Sequence, residues 1–73
     1  MPKMPVVSGK NTIRKLEKVG YYIIRQKGSH VRLGCDDKTR KLITVPMHNE
    51  LKIGLLHEII KDANLTIEEF IKL

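Results

Sequence analysis

A chain of 73 residues, 41% hydrophobic and 30% charged, is suited to one small folded domain. Its size excludes a deep enclosed pocket, because a domain of this length buries only about 60% of the surface its unfolded chain exposes. The 14 Lys and Arg against 8 Asp and Glu leave a net charge of +6, which points to an anionic partner: nucleic acid, an acidic protein or a membrane surface.

The apolar runs are too short to cross a bilayer, and Met1-Pro2-Lys3-Met4-Pro5 lacks the apolar stretch of a signal peptide. One cysteine, Cys35, forms neither an internal disulfide nor a metal site by itself. A reducing, cytoplasmic location with no membrane association is therefore expected.

Residues 1–7, with Pro2 and Pro5, read as an extended lead-in to a single domain over 8–73. Ser8 is an N-cap, since its hydroxyl can accept a bond from an orphaned amide of the first helical turn. Ile13, Leu16 and Val19 recur on one helical face, Lys10, Arg14 and Lys18 on the other, and Gly20 stops a helix expected from Gly9 to Val19. Tyr21-Tyr22-Ile23-Ile24 is aromatic and β-branched and predicts a strand. Lys27-Gly28-Ser29-His30 then has the form of a two-residue type II′ turn, followed by a second strand from His30 to Cys35. Asp36 to Arg40 is a polar turn, and Lys41 to Val45 a third strand that Pro46 terminates. Asn49 is expected to cap a second helix with an apolar stripe of Ile53, Leu56, Ile59, Ile60 and Ala63, ending near Asn64. Thr66-Ile67-Glu68-Glu69 has capping-box spacing, so a short last helix should return Ile67, Phe70 or Ile71 to the core. The fold class expected is α+β: an α-β-β-β-α chain whose helices cover one face of a three-stranded antiparallel sheet.

The turn also fixes a pairing. With Gly28 and Ser29 as the loop, Lys27 faces His30, Gln26 Val31, Arg25 Arg32, Ile24 Leu33, Ile23 Gly34 and Tyr22 Cys35. Alternation then puts Tyr22, Ile24, Val31, Leu33 and Cys35 on the core face, and Arg25, Lys27, His30 and Arg32 on the open one. A slip of one residue would bury an arginine, at a cost of several kcal/mol. Lys41 joins this basic edge from the third strand, and Lys52 sets a cation beside the free amides of the second helix.

Histidine can take up and return a proton at neutral pH, and His30 stands beside cations able to hold phosphate oxygens. RNA carries its own nucleophile, the 2′-hydroxyl, so proton transfer and charge stabilisation are what a ribonuclease must supply. A solvated histidine at the start of a strand is the plainer alternative. His48, in the loop after Pro46, is either a second proton-transfer group or a loop residue, and His57 carries no assigned role. The three histidines and one cysteine show no zinc-ligand spacing, so neither metal nor other cofactor is expected. Tyr21 and Tyr22 are read as packing residues rather than as stacking platforms, and Gly34 as a bulge or a place of close ligand approach. Lys10, Arg14 and Lys18 form a solvated helix face or a contact for RNA or an antagonist protein.

Gly28-Ser29-His30, the strand end Thr44-Val45-Pro46-Met47-His48, the helix opening Glu50-Leu51-Lys52-Ile53-Gly54-Leu55-Leu56 and the close Leu65-Thr66-Ile67-Glu68-Glu69-Phe70 together resemble the HicA toxins of prokaryotic toxin-antitoxin pairs. The resemblance runs from Ser8 to Leu73. It implies a double-stranded-RNA-binding-like fold, ribosome-independent cleavage of mRNA, and neutralisation by a HicB-like antitoxin. It also makes His30 the catalytic residue and extends the site to Pro46 and His48. Two positions depart from the pattern: Asp36-Asp37-Lys38 where Asp-Gly is common, and Asn64 where many members have Gly.

The reading is an mRNA interferase with His30 catalytic and Arg25, Lys27, Gly28, Ser29, Arg32, Lys41, His48 and Lys52 binding RNA. A non-catalytic RNA-binding module and a domain docking an acidic protein are the alternatives.

Overall fold

The computed structural model describes residues 3–73; Met1 and Pro2, part of the expected lead-in, lie outside the described residues. Ser8 is extended, and its hydroxyl accepts from the Asn11 amide at 3.0 Å, which starts α1 (Gly9–Glu17). The helix ends two residues before the expected Val19: the amides of Val19 and Gly20 bond only three residues back, to Leu16 and Glu17, and Gly20 turns the chain at φ 104°.

Three strands follow, β1 (Tyr21–Lys27), β2 (His30–Cys35) and β3 (Ile43–Pro46), in an antiparallel sheet of order β1-β2-β3. The helices α1, α2 (Ile53–Asp62) and α3 (Ile67–Lys72) bury Leu16, Leu56 and Phe70 against the sheet face that carries Val31, Leu33, Ile43 and Val45. The expected α+β layout is thus the one observed. No helix among the described residues is long and apolar enough to cross a membrane.

Two boundaries differ from expectation. β3 begins at Ile43 rather than Lys41, because Lys41 is held outside the ladder: its amide donates to the Asp62 carbonyl at 2.8 Å, and its carbonyl accepts the Tyr21 hydroxyl at 2.7 Å. Pro46 is the last residue of β3, a position open to proline on an edge strand. Asn49 caps no helix; α2 begins four residues later, with Lys52 as an N-cap that makes no side-chain bond. The intervening chain is pinned by tertiary hydrogen bonds, from Met47 N to Ser29 O (2.6 Å), Gly9 N to His48 O (2.9 Å) and Leu51 N to Val7 O (2.9 Å). These bonds hold it out of a helix and seat Leu51 in the core.

The helix ends follow the sequence. Asn64, at φ 56°, closes α2 with the paired bonds of a Schellman motif, Leu65 N to Ile60 O and Asn64 N to Lys61 O. Thr66 and Glu69 exchange backbone and side-chain bonds of 3.0 and 2.8 Å, and the Thr66 amide holds the Glu69 carboxyl below its usual range. Lys15 fastens α3 to α1: its ammonium donates to the carbonyls of Phe70, Ile71 and Leu73 and lies 5.3 Å from the Phe70 ring centroid.

The largest departure is inside β1. The pairs Lys27/His30, Gln26/Val31 and Arg25/Arg32 stand as expected, but Ile24 bulges out of the ladder, so that Ile23 faces Leu33, Tyr22 faces Gly34 and Tyr21 faces Cys35. Parity therefore reverses upstream of Arg25: Tyr21 is buried, whereas Tyr22 and Ile24, expected in the core, are half exposed. Val31 and Leu33 stay inside, and Cys35 packs at the core's edge. The bulge fits because Gly34 has no side chain: a Cβ there would lie 2.8 Å from Ile24 Cδ1.

The buried Tyr21 phenol donates to Lys41 O, and burial, followed by the charge of Cys35, pushes its pKa up to about 12. An unfolded phenol ionises near 10, so this contribution to stability is complete below pH 10 and is lost as pH rises towards about 12. Tyr21→Phe should lower stability by about 1 kcal/mol at pH 8, with the difference shrinking or reversing at pH 11.5. Urea midpoints of both proteins at the two pH values check this; a difference independent of pH would contradict it.

Candidate functional site

The turn between β1 and β2 is built as its sequence demands. Gly28 adopts φ 58° while Ser29 has no positive φ, which suits glycine at the first loop position of a II′ turn. The Gln26 amide side chain donates to Gly28 O at 3.1 Å, and the Met47 amide donates to Ser29 O at 2.6 Å. The loop is therefore held from its own hairpin and from the end of β3. His30, the first residue after it, has its place on the sheet fixed by Lys27 on one side and Pro46 on the other.

On the face away from the helices, Arg25, Lys27, Gly28, Ser29, His30, Arg32 and Thr44 line one shallow concavity of about 570 Å³. Six of these residues were named from the sequence. The seventh, Thr44, was not; it pairs with Arg32 across β2 and β3, and its hydroxyl accepts from Arg32 Nη1 at 2.8 Å. The register of β3 against β2, which the turn residues alone do not specify, was the missing signal.

Lys41, His48 and Lys52 do not line this concavity. Lys41 is drawn towards the end of α2, and Leu42 takes the place expected for it, with its side chain over Gly34. His48 is exposed beyond β3, where its carbonyl receives the Gly9 amide at the start of α1. Lys52 is exposed at the start of α2.

The charge arrangement is one-sided. Arg25 and Arg32 face each other directly across the β1/β2 ladder, an unfavourable pairing of like charges, and Lys27 stands next to them beside His30. No carboxylate lines the concavity, and the ion pair found among the described residues, Arg40 with Asp37, belongs to the turn between β2 and β3. An anion bound between the arginines would relieve their repulsion and accept bidentate hydrogen bonds from planar guanidinium groups. A proton-exchanging imidazole at the edge of an anion clamp can serve transfer chemistry on that anion.

Residues 9–65 match the family model of the HicA toxin of bacterial toxin-antitoxin. The chain belongs to the HicA toxin family. No curated protein matches it in sequence. Membership makes the chain the toxin of a toxin-antitoxin pair and implies an antitoxin partner. Every residue lining the concavity falls within the matched span, whereas α3, which supplies the buried Phe70, lies beyond it.

Proposed function

We propose that this HicA-family toxin is a ribosome-independent mRNA interferase, a metal-independent endoribonuclease whose active site is the concavity around His30. The observation that carries this reading is the cross-strand Arg25/Arg32 pair, unrelieved by any lining acid, with Lys27 and His30 on the same face. In it, the guanidinium groups and the Lys27 ammonium bind the scissile phosphate, and Arg32 is steadied by Thr44. The 2′-hydroxyl of the preceding ribose attacks phosphorus and the bond to the 5′ oxygen breaks. Two protons move: His30 either removes the proton of the attacking hydroxyl or protonates the departing oxygen, water makes the other transfer, and the products carry a 2′,3′-cyclic phosphate and a 5′ hydroxyl.

Gly28 and Ser29 place the histidine and leave room for the strand. Lys41, His48 and Lys52 have no part in the reaction step. A HicB-like antitoxin would silence the toxin by covering this face, and the substrate implies a cytoplasmic site of action.

Growth after induction tests the reading: the parent should arrest it and His30→Ala, made to the same level, should not. Equal arrest by both would remove His30 from the mechanism, and no arrest by either would remove the toxin activity itself.

A further inference from the structure

The open sheet face continues past the basic concavity, and its far half is apolar. The Ile24 bulge turns Tyr22 and Ile24 outward, Tyr22 pairing with Gly34, and Leu42 closes with Ile24 over that glycine, whose missing side chain lets both lie against the strand: a Cβ there would lie 2.8 Å from Ile24 Cδ1 and 3.3 Å from Leu42 Cδ2. Tyr22, Ile24 and Leu42 are each about half exposed, at 48, 49 and 53%. The Tyr22 hydroxyl donates to Asp36 at 3.3 Å, which ties the far end of the ring down, and the nearby Asp36 charge raises the phenol's pKa. Core packing explains none of these three exposures.

We infer that Tyr22, Ile24 and Leu42 form a nucleobase subsite, the place where one base of the RNA strand stacks while its phosphate lies between Arg25 and Arg32. The inference rests on the ribonuclease reading above and extends it to how the strand is held. Three observations support RNA as the occupant. The apolar patch is continuous with the anion clamp, since Gly34 beneath it and Arg32 lie two residues apart on β2, roughly 7 Å, the separation of a phosphate from its own base or its neighbour's. The face is polarised, cationic at Arg25, Lys27 and Arg32 and anionic at Asp36, so a phosphate is drawn to one end and repelled from the other. And a tyrosine ring flanked by aliphatic groups offers a base the flat, sequence-tolerant surface on which single-stranded nucleic acids stack.

The test measures cleavage of a short single-stranded RNA, and of the same RNA carrying one abasic ribose stepped along it, by the parent, Tyr22→Phe, Tyr22→Ala and Leu42→Ser. Tyr22→Ala should raise KM roughly 5- to 100-fold, the range of one lost stacked base, with kcat much less affected, and Leu42→Ser should shift KM in the same direction. Tyr22→Phe, which keeps the ring, should behave as the parent. One abasic position should weaken the substrate for the parent and make little difference to Tyr22→Ala. Unchanged KM in Tyr22→Ala and Leu42→Ser, both folded by circular dichroism, overturns the subsite while leaving the ribonuclease reading intact. A parent that neither binds nor cuts RNA overturns both.

Discussion

Purified protein carrying His30→Ala should cleave RNA about 100 to 10,000 times more slowly than the parent, the usual worth of a positioned general acid or base. Its affinity for RNA should change little, because Arg25, Lys27 and Arg32, which bind the phosphate in this account, are untouched. Stability should also be kept to within about 0.5 kcal/mol, since His30 is exposed and its neighbours in the ladder are fixed through the backbone. Arg32→Ala should separate the two roles from the other side. It removes the guanidinium that donates to Thr44 and faces Arg25, so it should weaken binding and flatten its salt dependence. Rates and affinities measured at two salt concentrations for the parent and both variants check this. Equal loss of binding in both variants would contradict a division between clamp and proton carrier.

The second large effect is on folding. Gly9 is the first residue of α1, where alanine would ordinarily favour the helix, but a Cβ there would clash with the Pro46 carbonyl oxygen. That oxygen belongs to backbone, so relief requires α1 to move away from the end of β3, which also breaks the bond from Gly9 N to His48 O. Overpacking and the lost bond together should cost about 2–4 kcal/mol, a large share of what holds a domain of this size together. Gly54, in the first turn of α2, is the control. Nothing lies within 4 Å of a Cβ there and its φ is not positive, so Gly54→Ala should stabilise by about 0.5–1 kcal/mol. Urea unfolding of the two variants should move in opposite directions; a shift of the same sign would contradict the packing of α1 on β3.

The pair also shows which parts of the fold can be read from sequence. Gly28-Ser29 between alternating strands carries its own register, which is why Arg25, Lys27, His30 and Arg32 appear together on the open face as expected. The capping box at Thr66 and Glu69 is equally local, as is the left-handed Asn64. The bulge at Ile24 is not local. Tyr21-Tyr22-Ile23-Ile24 is apolar at every position, so alternation cannot choose its inward side. The structure chooses through tertiary events, a hydroxyl reaching Lys41 O and a glycine opposite, that leave no periodic trace. The start of α2 is hidden from the sequence for a related reason. Asn49 has capping chemistry, but long-range bonds to Ser29, Val7 and Gly9 hold the surrounding chain out of the helix. Thr44 in the site, and the absence of Lys41 from it, both follow from where β3 joins β2, a long-range pairing no single segment specifies.

The central claim is that the concavity cuts RNA by using the strand's own 2′-hydroxyl. Its most direct test is incubation of the purified protein, in the presence of a chelator, with a single-stranded RNA and with the same strand bearing 2′-O-methyl riboses. The account predicts that the RNA is cut to fragments ending in 2′,3′-cyclic phosphate and that the methylated strand is bound but left whole. Cleavage of both strands, or binding of both with no cut in either, would contradict it.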